Sequence, residues 1–173
     1  MRLSTQPIDY VVGMMNTDQV TAVLRKCEVF GGLSDQELKS IAGLAKTEKF
    51  NAGDTIYTQG NIGRKLYVLS EGQVSLERAM NIGGKRKATV PVFVQRENPS
   101  RRLMGGWSSL VEEEHVQMCT ARCYKPTTVI TLLSAELNEL ISKNLETRLK
   151  ILEKLVLLLR ERIASSYQEM ETM

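Results

Sequence analysis

The chain has 173 residues, of which 42% are hydrophobic and 25% charged, a composition typical of a globular protein with one domain and an appendage. Its net charge of +3 is too small to indicate nucleic-acid binding. Three cysteines fit a reducing compartment better than a disulfide scaffold, and no apolar run is long enough to span a membrane. We therefore expect a cytoplasmic protein with no secretory signal and no membrane partner.

The N-terminal part predicts two short helices. Residues 1–16 show no clear periodicity and are assigned to an N-terminal extension. The Asn16-Thr17 pair offers a cap for a helix that ends near Cys27, because apolar residues recur along one face. Ser34 followed three residues later by Glu37 is a capping box, and it predicts the start of a second helix.

The stretch 50–74 alternates β-favouring segments with turns. Glycines mark the turns: Gly53, Gly60 and Gly72. Leu66 and Val68 alternate with polar positions, which predicts a half-buried antiparallel strand. Glycine-marked turns at such close spacing favour a compact β-roll or jelly roll over an open α/β sheet.

This stretch resembles the start of a cyclic-nucleotide-binding domain, which occurs in catabolite-activator-type regulators, kinase regulatory subunits and gated ion channels. The resemblance rests on Phe50, Gly53, Ile56, Gln59-Gly60, Leu66-Tyr67, Gly72 and Val74. With the helical lead-in it covers about residues 20 to 141. It implies an α+β fold, in which N-terminal helices precede an antiparallel β-roll or jelly roll and a long C-terminal helix follows it.

Beyond Val74 the sequence predicts a hairpin. Its strands span 75–79 and 89–95, and its turn spans 81–84. The basic cluster Lys85, Arg86 and Lys87 follows this turn, and we interpret it as a solvated loop.

The segment from Gly106 to Leu110 stands where the family carries its phosphate-binding cassette. In that cassette, N–H groups at a helix start face the cyclic phosphate, an acidic residue binds the ribose hydroxyl, and an arginine neutralises the phosphate. A gapless alignment places Trp107 at the acidic position and Gln117 at the arginine position. Because each missing contact is worth roughly 1.5–3 kcal/mol, we predict no cyclic AMP affinity better than about 100 μM.

The resemblance also implies a set of ligand-binding residues by position. They are Gly106, Trp107, Ser108, Ser109, Gln117 and Met118. Small side chains at the two serines leave room for a backbone cradle, and Arg101, Arg102 or Arg122 could supply substitute charge. Trp107 could stack on a base, but we predict that it plugs the pocket.

The sequence offers few other residues for chemistry. His115 follows an acidic run, 112–114, and lacks a partner at ligand spacing, so we predict an exposed loop residue and no metal site. Cys119 and Cys123 are predicted to be small buried hydrophobes. The single histidine leaves no basis for a catalytic set, which predicts a non-enzymatic protein without catalytic residues. We expect no cofactor, and a cyclic nucleotide or a related nucleotide as the candidate ligand.

The C-terminal segment 134–173 predicts a long dimerisation helix. Ser134 can cap it after a last strand over 128–132, and no proline or glycine interrupts 135–170, so one continuous helix is expected. Apolar residues alternate three and four apart, as in a two-stranded parallel coiled coil. The predicted homodimer interface is Leu149, Leu152, Val156, Leu159 and Ile163.

The predicted organisation is thus an extension over 1–16, a β-roll with helical lead-in over 17–133, and a dimerisation helix over 134–173. Residues for the helix-turn-helix of the DNA-binding regulators are not found after this helix, so no DNA partner is expected.

Two functions remain open. One is a ligand-sensing signalling module with a non-standard pocket, whose occupancy repositions the helix. The other is a dimer with a vestigial pocket that acts as a scaffold for a protein effector. An open cavity would favour the first, and a pocket filled by side chains the second.

Overall fold

Two four-stranded antiparallel sheets form the centre of the structure. A computed structural model describes residues 15–82, 86–95 and 102–171. Its helices are α1 (Thr17–Arg25), α2 (Asp35–Ala42), α3 (Ser134–Ser142) and α4 (Leu145–Glu171), with a 3-10 helix over Trp107–Val111. Its strands are β1 (Lys46–Phe50), β2 (Thr55–Tyr57), β3 (Ile62–Gly63), β4 (Lys65–Glu71), β5 (Val74–Ile82), β6 (Arg86–Gln95), β7 (Leu103–Met104), β8 (His115–Val116), β9 (Thr120–Cys123) and β10 (Thr127–Leu133).

The strand order is that of a jelly roll, in which strands distant along the chain become neighbours. The first sheet has the order β1-β10-β4-β7, the second has the order β2-β9-β5-β6, and the short strands β3 and β8 pair separately. Ile130 lies opposite Val68, so the last strand pairs with the middle of the roll. The α+β fold with an antiparallel β-roll, N-terminal helices and a long C-terminal helix is therefore confirmed.

Helix α2 begins at the predicted capping box of Ser34 and Glu37, and α1 begins at the predicted cap Asn16, which forms a capping box as well. Oδ1 of Asn16 accepts a hydrogen bond from the N–H of Gln19 at 2.9 Å, and the Gln19 side chain accepts one from the N–H of Asn16. Ser34 and Glu37 form the same reciprocal pair at the start of α2. Each box satisfies backbone donors that have no partner within the helix.

Strand β4 is buried on both faces, which corrects the prediction of a half-buried strand. Leu66 and Val68 pack with the helices in one core. Tyr67 and Leu69 pack in a second core between the two sheets. The phenol ring of Tyr67 is a large apolar surface, and the residue is only 9% exposed although it counts as polar in a simple pattern. The helices that cover the outer face of the sheet make this double burial favourable.

The C-terminal segment forms two helices, so the prediction of one continuous helix over 135–170 is wrong. Asn144 starts the second helix, because its Oδ1 accepts hydrogen bonds from the N–H groups of Glu146 at 3.1 Å and Thr147 at 3.2 Å. An asparagine that bonds first-turn donors in this way favours a new helix start over continuation. Ser134 is the first residue of α3 and not its cap, since the cap position belongs to Leu133. Helix α4 has 27 residues and is about 40 Å long.

Some predictions fall outside the described residues. These are the extension up to residue 14, Gly83 and Gly84 of the hairpin turn, Lys85 of the basic cluster, and Arg101. The two strands of the hairpin are present as β5 and β6. Within the part of the chain that the structure describes, every helix is too short or too polar to cross a membrane.

Candidate ligand-binding site

A cavity of about 480 Å³ lies between the β-roll and the C-terminal half of α4. The roll contributes Tyr57 of β2 and Leu76 of β5, together with Trp107 at the start of the 3-10 helix. Helix α4 contributes Leu159, Arg162, Ile163, Ser166 and Tyr167. This volume lies within the range of roughly 300–1,000 Å³ that is usual for small-molecule sites.

Half of the predicted ligand-binding residues line this cavity. They are Trp107, Gln117 and Met118. The others lie close by but face elsewhere. Ser108 bonds to His115, and Ser109 lines a separate groove of about 540 Å³ beside the acidic run 112–114.

Gly106 shapes the backbone that enters the site. Its φ of 38° lies in the left-handed region, and a Cβ there would stand 2.8 Å from the carbonyl carbon of Lys65. A residue with a side chain would therefore be strained and would also collide with β4. The cavity itself is lined by the preceding residue, Gly105.

His115 organises the polar groups beside the cavity. Its Nδ1 lies 2.7 Å from Oγ of Ser108, and the same imidazole hydrogen-bonds to the side chain of Gln117. The ring stands edge-on to Trp107, with 5.2 Å between the ring centroids. Trp107 therefore lies in the wall of the cavity and leaves its volume open, which differs from the predicted plug.

The prediction that His115 is an exposed loop residue is wrong, since only 4% of it is exposed. Strand β8 pairs with β3, which places His115 opposite Gly63. Because Gly63 has no side chain, the imidazole and the Gln117 amide fit against it; a Cβ there would lie 3.0 Å from Cδ2 of His115. Among the described residues, no group of three or more histidine, cysteine or acidic side chains could hold a metal ion.

Charged side chains are rare among the described residues that line the cavity. Burial lowers the pKa of His115 below its ordinary value, and burial raises the pKa of the Cys119 thiol and of the Tyr57 hydroxyl. All three are therefore neutral at neutral pH. Carboxylates are not found among the lining residues that the structure describes. Arg162 is the cation among the lining residues that the structure describes.

Arg162 reaches from α4 to the first sheet. One of its Nη atoms donates a hydrogen bond to the backbone carbonyl of Leu103 in β7, and its Nε is shielded from solvent. Burial lowers the pKa of Arg162, and the nearby carboxylate of Glu28 opposes this shift. A guanidinium stays protonated under these conditions, because its ordinary pKa lies far above neutral pH. Glu28 in turn accepts hydrogen bonds from the backbone N–H groups of Arg102 and Leu103.

Of the arginines that the sequence offered as substitutes, Arg102 and Arg122 are described by the structure, and neither lines the cavity. Arg102 donates to the carbonyls of Leu69 and Ser70. Arg122 pairs with Glu77 at 3.4 Å. Sequence analysis missed Arg162 as a site residue because it lies 59 positions after its contact Leu103. No local pattern marks it, since it lies in the charged run Arg160-Glu161-Arg162 of α4.

The predicted dimer residues lie on two sides of α4. Leu149, Val156 and Ile163 are 58%, 65% and 53% exposed. Leu152 and Leu159 pack partly against the helical core. Leu159 and Ile163 also line the cavity, so the segment of α4 that covers the cavity carries part of the predicted seam.

Comparison with models of known protein families gives no match, and no curated protein matches the sequence. Solved structures do match. A cyclic nucleotide-binding domain from Methylobacillus flagellatus has a TM-score of 0.70 at 18% identity, over 88% of this chain and 81% of that chain. The catabolite activator protein of Thermus thermophilus has a TM-score of 0.62 at 23% identity, over 84% of this chain and 62% of that one.

The regulatory domain of Toxoplasma gondii PKA, solved with cAMP, has a TM-score of 0.63 at 17% identity. It is matched over 81% of this chain and 49% of its own length. All three comparisons cover more than four fifths of this chain. The chain therefore has the fold of the cyclic-nucleotide-binding domains, as its sequence resemblance implies.

Proposed function

We propose that the protein is a non-enzymatic regulatory module that senses a small molecule other than a cyclic nucleotide, bound between the β-roll and α4. The open cavity of about 480 Å³ carries this proposal, because it is lined mainly by apolar groups and by a few polar ones. A filled pocket would have favoured the scaffold function. The solved structures with the same fold include a regulatory domain and a catabolite activator protein, which supports a regulatory role.

The contacts at the cassette position argue against a cyclic nucleotide. Gln117 is bonded to His115 and carries no charge, so it cannot neutralise a phosphate. Trp107 offers no carboxylate for a ribose hydroxyl and packs edge-on against the same imidazole. Without these two contacts a cyclic nucleotide loses its usual charge-assisted hydrogen bonds.

The Ser108 and His115 pair does not support catalysis. The two side chains stand at the distance of a nucleophile and its base. However, Ser108 is not among the residues that line the cavity, and His115 interacts with both Ser108 and Gln117 and is buried. A substrate in the cavity would therefore not reach the hydroxyl. We interpret the pair as support for the wall that holds Trp107.

Helix α4 is proposed to transmit the signal within a homodimer. Leu149, Val156 and Ile163 recur every seven residues and form an exposed apolar stripe. Such a stripe on a long helix is typical of a helix–helix interface. Because Ile163 also lines the cavity, a ligand that contacts it would change how two such helices cross. The dimer and the cavity are then coupled through the same turns of α4.

A thermal-shift screen of metabolites on the full chain tests this function. A ligand present at about 100 times its dissociation constant adds about 2.7 kcal/mol of stability. Ser166→Trp fills the cavity from α4 and should abolish the shift. Ser165→Trp is the matched control, because it adds the same side chain one residue away, outside the lining. Equal shifts for Ser166→Trp and the wild type would place binding elsewhere and overturn the proposal.

A further inference from the structure

We propose that the ligand of this cavity is an organic anion with an apolar body, and that Arg162 of α4 binds its charge. The inference rests on the proposed function, in which a small molecule occupies the cavity. It goes further by naming the chemical class of the ligand and the group that recognises it. It also assigns a role to an arginine that lies outside the cassette.

The apolar body follows from the lining. Leu76, Met118, Leu159 and Ile163 are side chains that can contact a ring or chain but cannot bond a polar group. Burial of apolar ligand surface against them supplies binding energy roughly in proportion to the area covered. A nucleotide would place its ribose hydroxyls in a largely apolar cavity, where most polar groups would lose their hydrogen bonds.

The charge of the ligand follows from Arg162. Arg162 lines the cavity, while the histidine, thiol and phenol that line it as well are neutral. In surroundings of low polarity a fixed positive charge attracts an anion more strongly than it would in water. The planar guanidinium also matches a carboxylate with two parallel hydrogen bonds. A cationic ligand would be repelled at the same place.

Glu28 offers the competing explanation, in which Arg162 only ties α4 to the roll. Its carboxylate raises the pKa of Arg162, because its negative charge stabilises the positive charge of the guanidinium. Glu28 is not a cavity-lining residue, and its Oε2 accepts from two backbone N–H groups behind the β7 strand. Arg162 therefore lies near Glu28 and also lines the cavity, so a contact with Glu28 and a contact with a bound anion are compatible.

The position of Arg162 on α4 gives the site a regulatory consequence. In the cassette that the sequence resembles, the arginine belongs to the β-roll. Here the cation belongs to the helix, so a bound anion would join α4 to the Trp107 wall of the roll. The ligand would hold the helix in place through its charge and its apolar contacts together.

Two probes of nearly equal shape test the inference by calorimetry on the full chain. They are 1-naphthoate, which carries a carboxylate, and 1-naphthamide, which is neutral. We expect naphthoate to bind about tenfold more tightly than naphthamide, because one additional charge-assisted hydrogen bond has about that effect on the dissociation constant. Arg162→Met should remove this preference, so that the two probes bind equally well. Arg160→Met is the matched control, because Arg160 lies on the same helix and is exposed.

Each outcome decides the inference. Equal binding of the two probes, or an unchanged preference in Arg162→Met, would overturn the anion assignment and leave the ligand-sensing function standing. Binding of neither probe, and of no compound in the thermal-shift screen, would overturn both. If Arg162→Met does not fold, the comparison of the two probes on the wild-type chain still decides between an anionic and a neutral ligand.

Discussion

Oγ of Ser108 and Nδ1 of His115 are 2.7 Å apart, in the segment that the sequence resemblance assigns to phosphate binding. Gln117, at the position of the family arginine, bonds to the same imidazole. The polar groups of this segment therefore satisfy one another. A phosphate that entered here would have to displace these bonds and would gain no cation at Gln117.

Cyclic AMP is accordingly expected to bind no more tightly than about 100 μM, because two charge-assisted contacts are missing. Isothermal titration of the full chain measures this directly. The double variant Trp107→Glu with Gln117→Arg restores both groups and should raise the affinity. Each single variant serves as a control, since neither restores the pair. Low-micromolar binding by the wild type would contradict the prediction.

Disruption of the exposed stripe on α4 should produce a monomer. Leu149→Asp with Val156→Asp places charges on two residues that are 58% and 65% exposed in the single chain. A lone chain tolerates them, whereas a dimer seam would have to bury unpaired charge. Light scattering after size exclusion gives the mass. We choose these positions over Leu159, because Leu159 also lines the cavity.

The exposed Glu153→Gln variant is the control for this experiment. It should leave the mass unchanged. A double variant that keeps the dimer with unaltered stability would show that α4 is not the interface.

Glu37 should contribute stability that depends on pH. A hydrogen bond from the Thr147 hydroxyl, with others from Ser34, lowers the pKa of Glu37 below its ordinary 4.5. A carboxyl whose folded pKa is depressed stabilises the fold above the unfolded pKa, and this stability is lost as the pH falls through the folded value. Glu37→Gln should therefore cost about 0.5–1 kcal/mol at neutral pH, a modest loss because glutamine can also occupy this position of a capping box. The cost should shrink once the pH falls well below 4.5.

Urea denaturation at several pH values measures this difference. Glu139→Gln is the control, because the side chain of Glu139 is 76% exposed and pairs with Lys143 on the surface. A loss for Glu37→Gln that stayed constant at all pH values would show that ionisation of Glu37 has no part in it.

Gly106 and Gly53 should differ in their tolerance of a side chain. Both have positive φ, so alanine is strained at either position. At Gly53 a Cβ meets nothing within 4 Å, whereas at Gly106 it would lie 2.8 Å from the carbonyl carbon of Lys65. Gly106→Ala should therefore lose about 1–3 kcal/mol more stability than Gly53→Ala. Thermal unfolding measures the stability of the two variants. Equal losses of stability would mean that the close approach to Lys65 adds no cost.

Much of the fold could be predicted from short-range patterns. The capping boxes at Asn16 and Ser34 join residues three positions apart, and the glycine turns require only the local backbone. The missing charges at Trp107 and Gln117 could likewise be identified from spacing. The break before α4 was also local in origin, since Asn144 bonds the N–H groups two and three residues ahead, but the absence of proline and glycine concealed it.

Only the tertiary structure decided what surrounds the site. The pairing of β8 with β3 buries His115 against Gly63, although its acidic neighbours in the sequence predicted exposure. Arg162 enters the cavity because the packing of α4 brings it to Leu103, 59 positions earlier in the chain. Such contacts depend on how whole elements pack, and periodicity along one element does not specify its partner. The sequence by itself therefore determined the β-roll and the absence of the family's two charged contacts at Trp107 and Gln117. The packing of α4 against the roll determined that Arg162 lines the cavity.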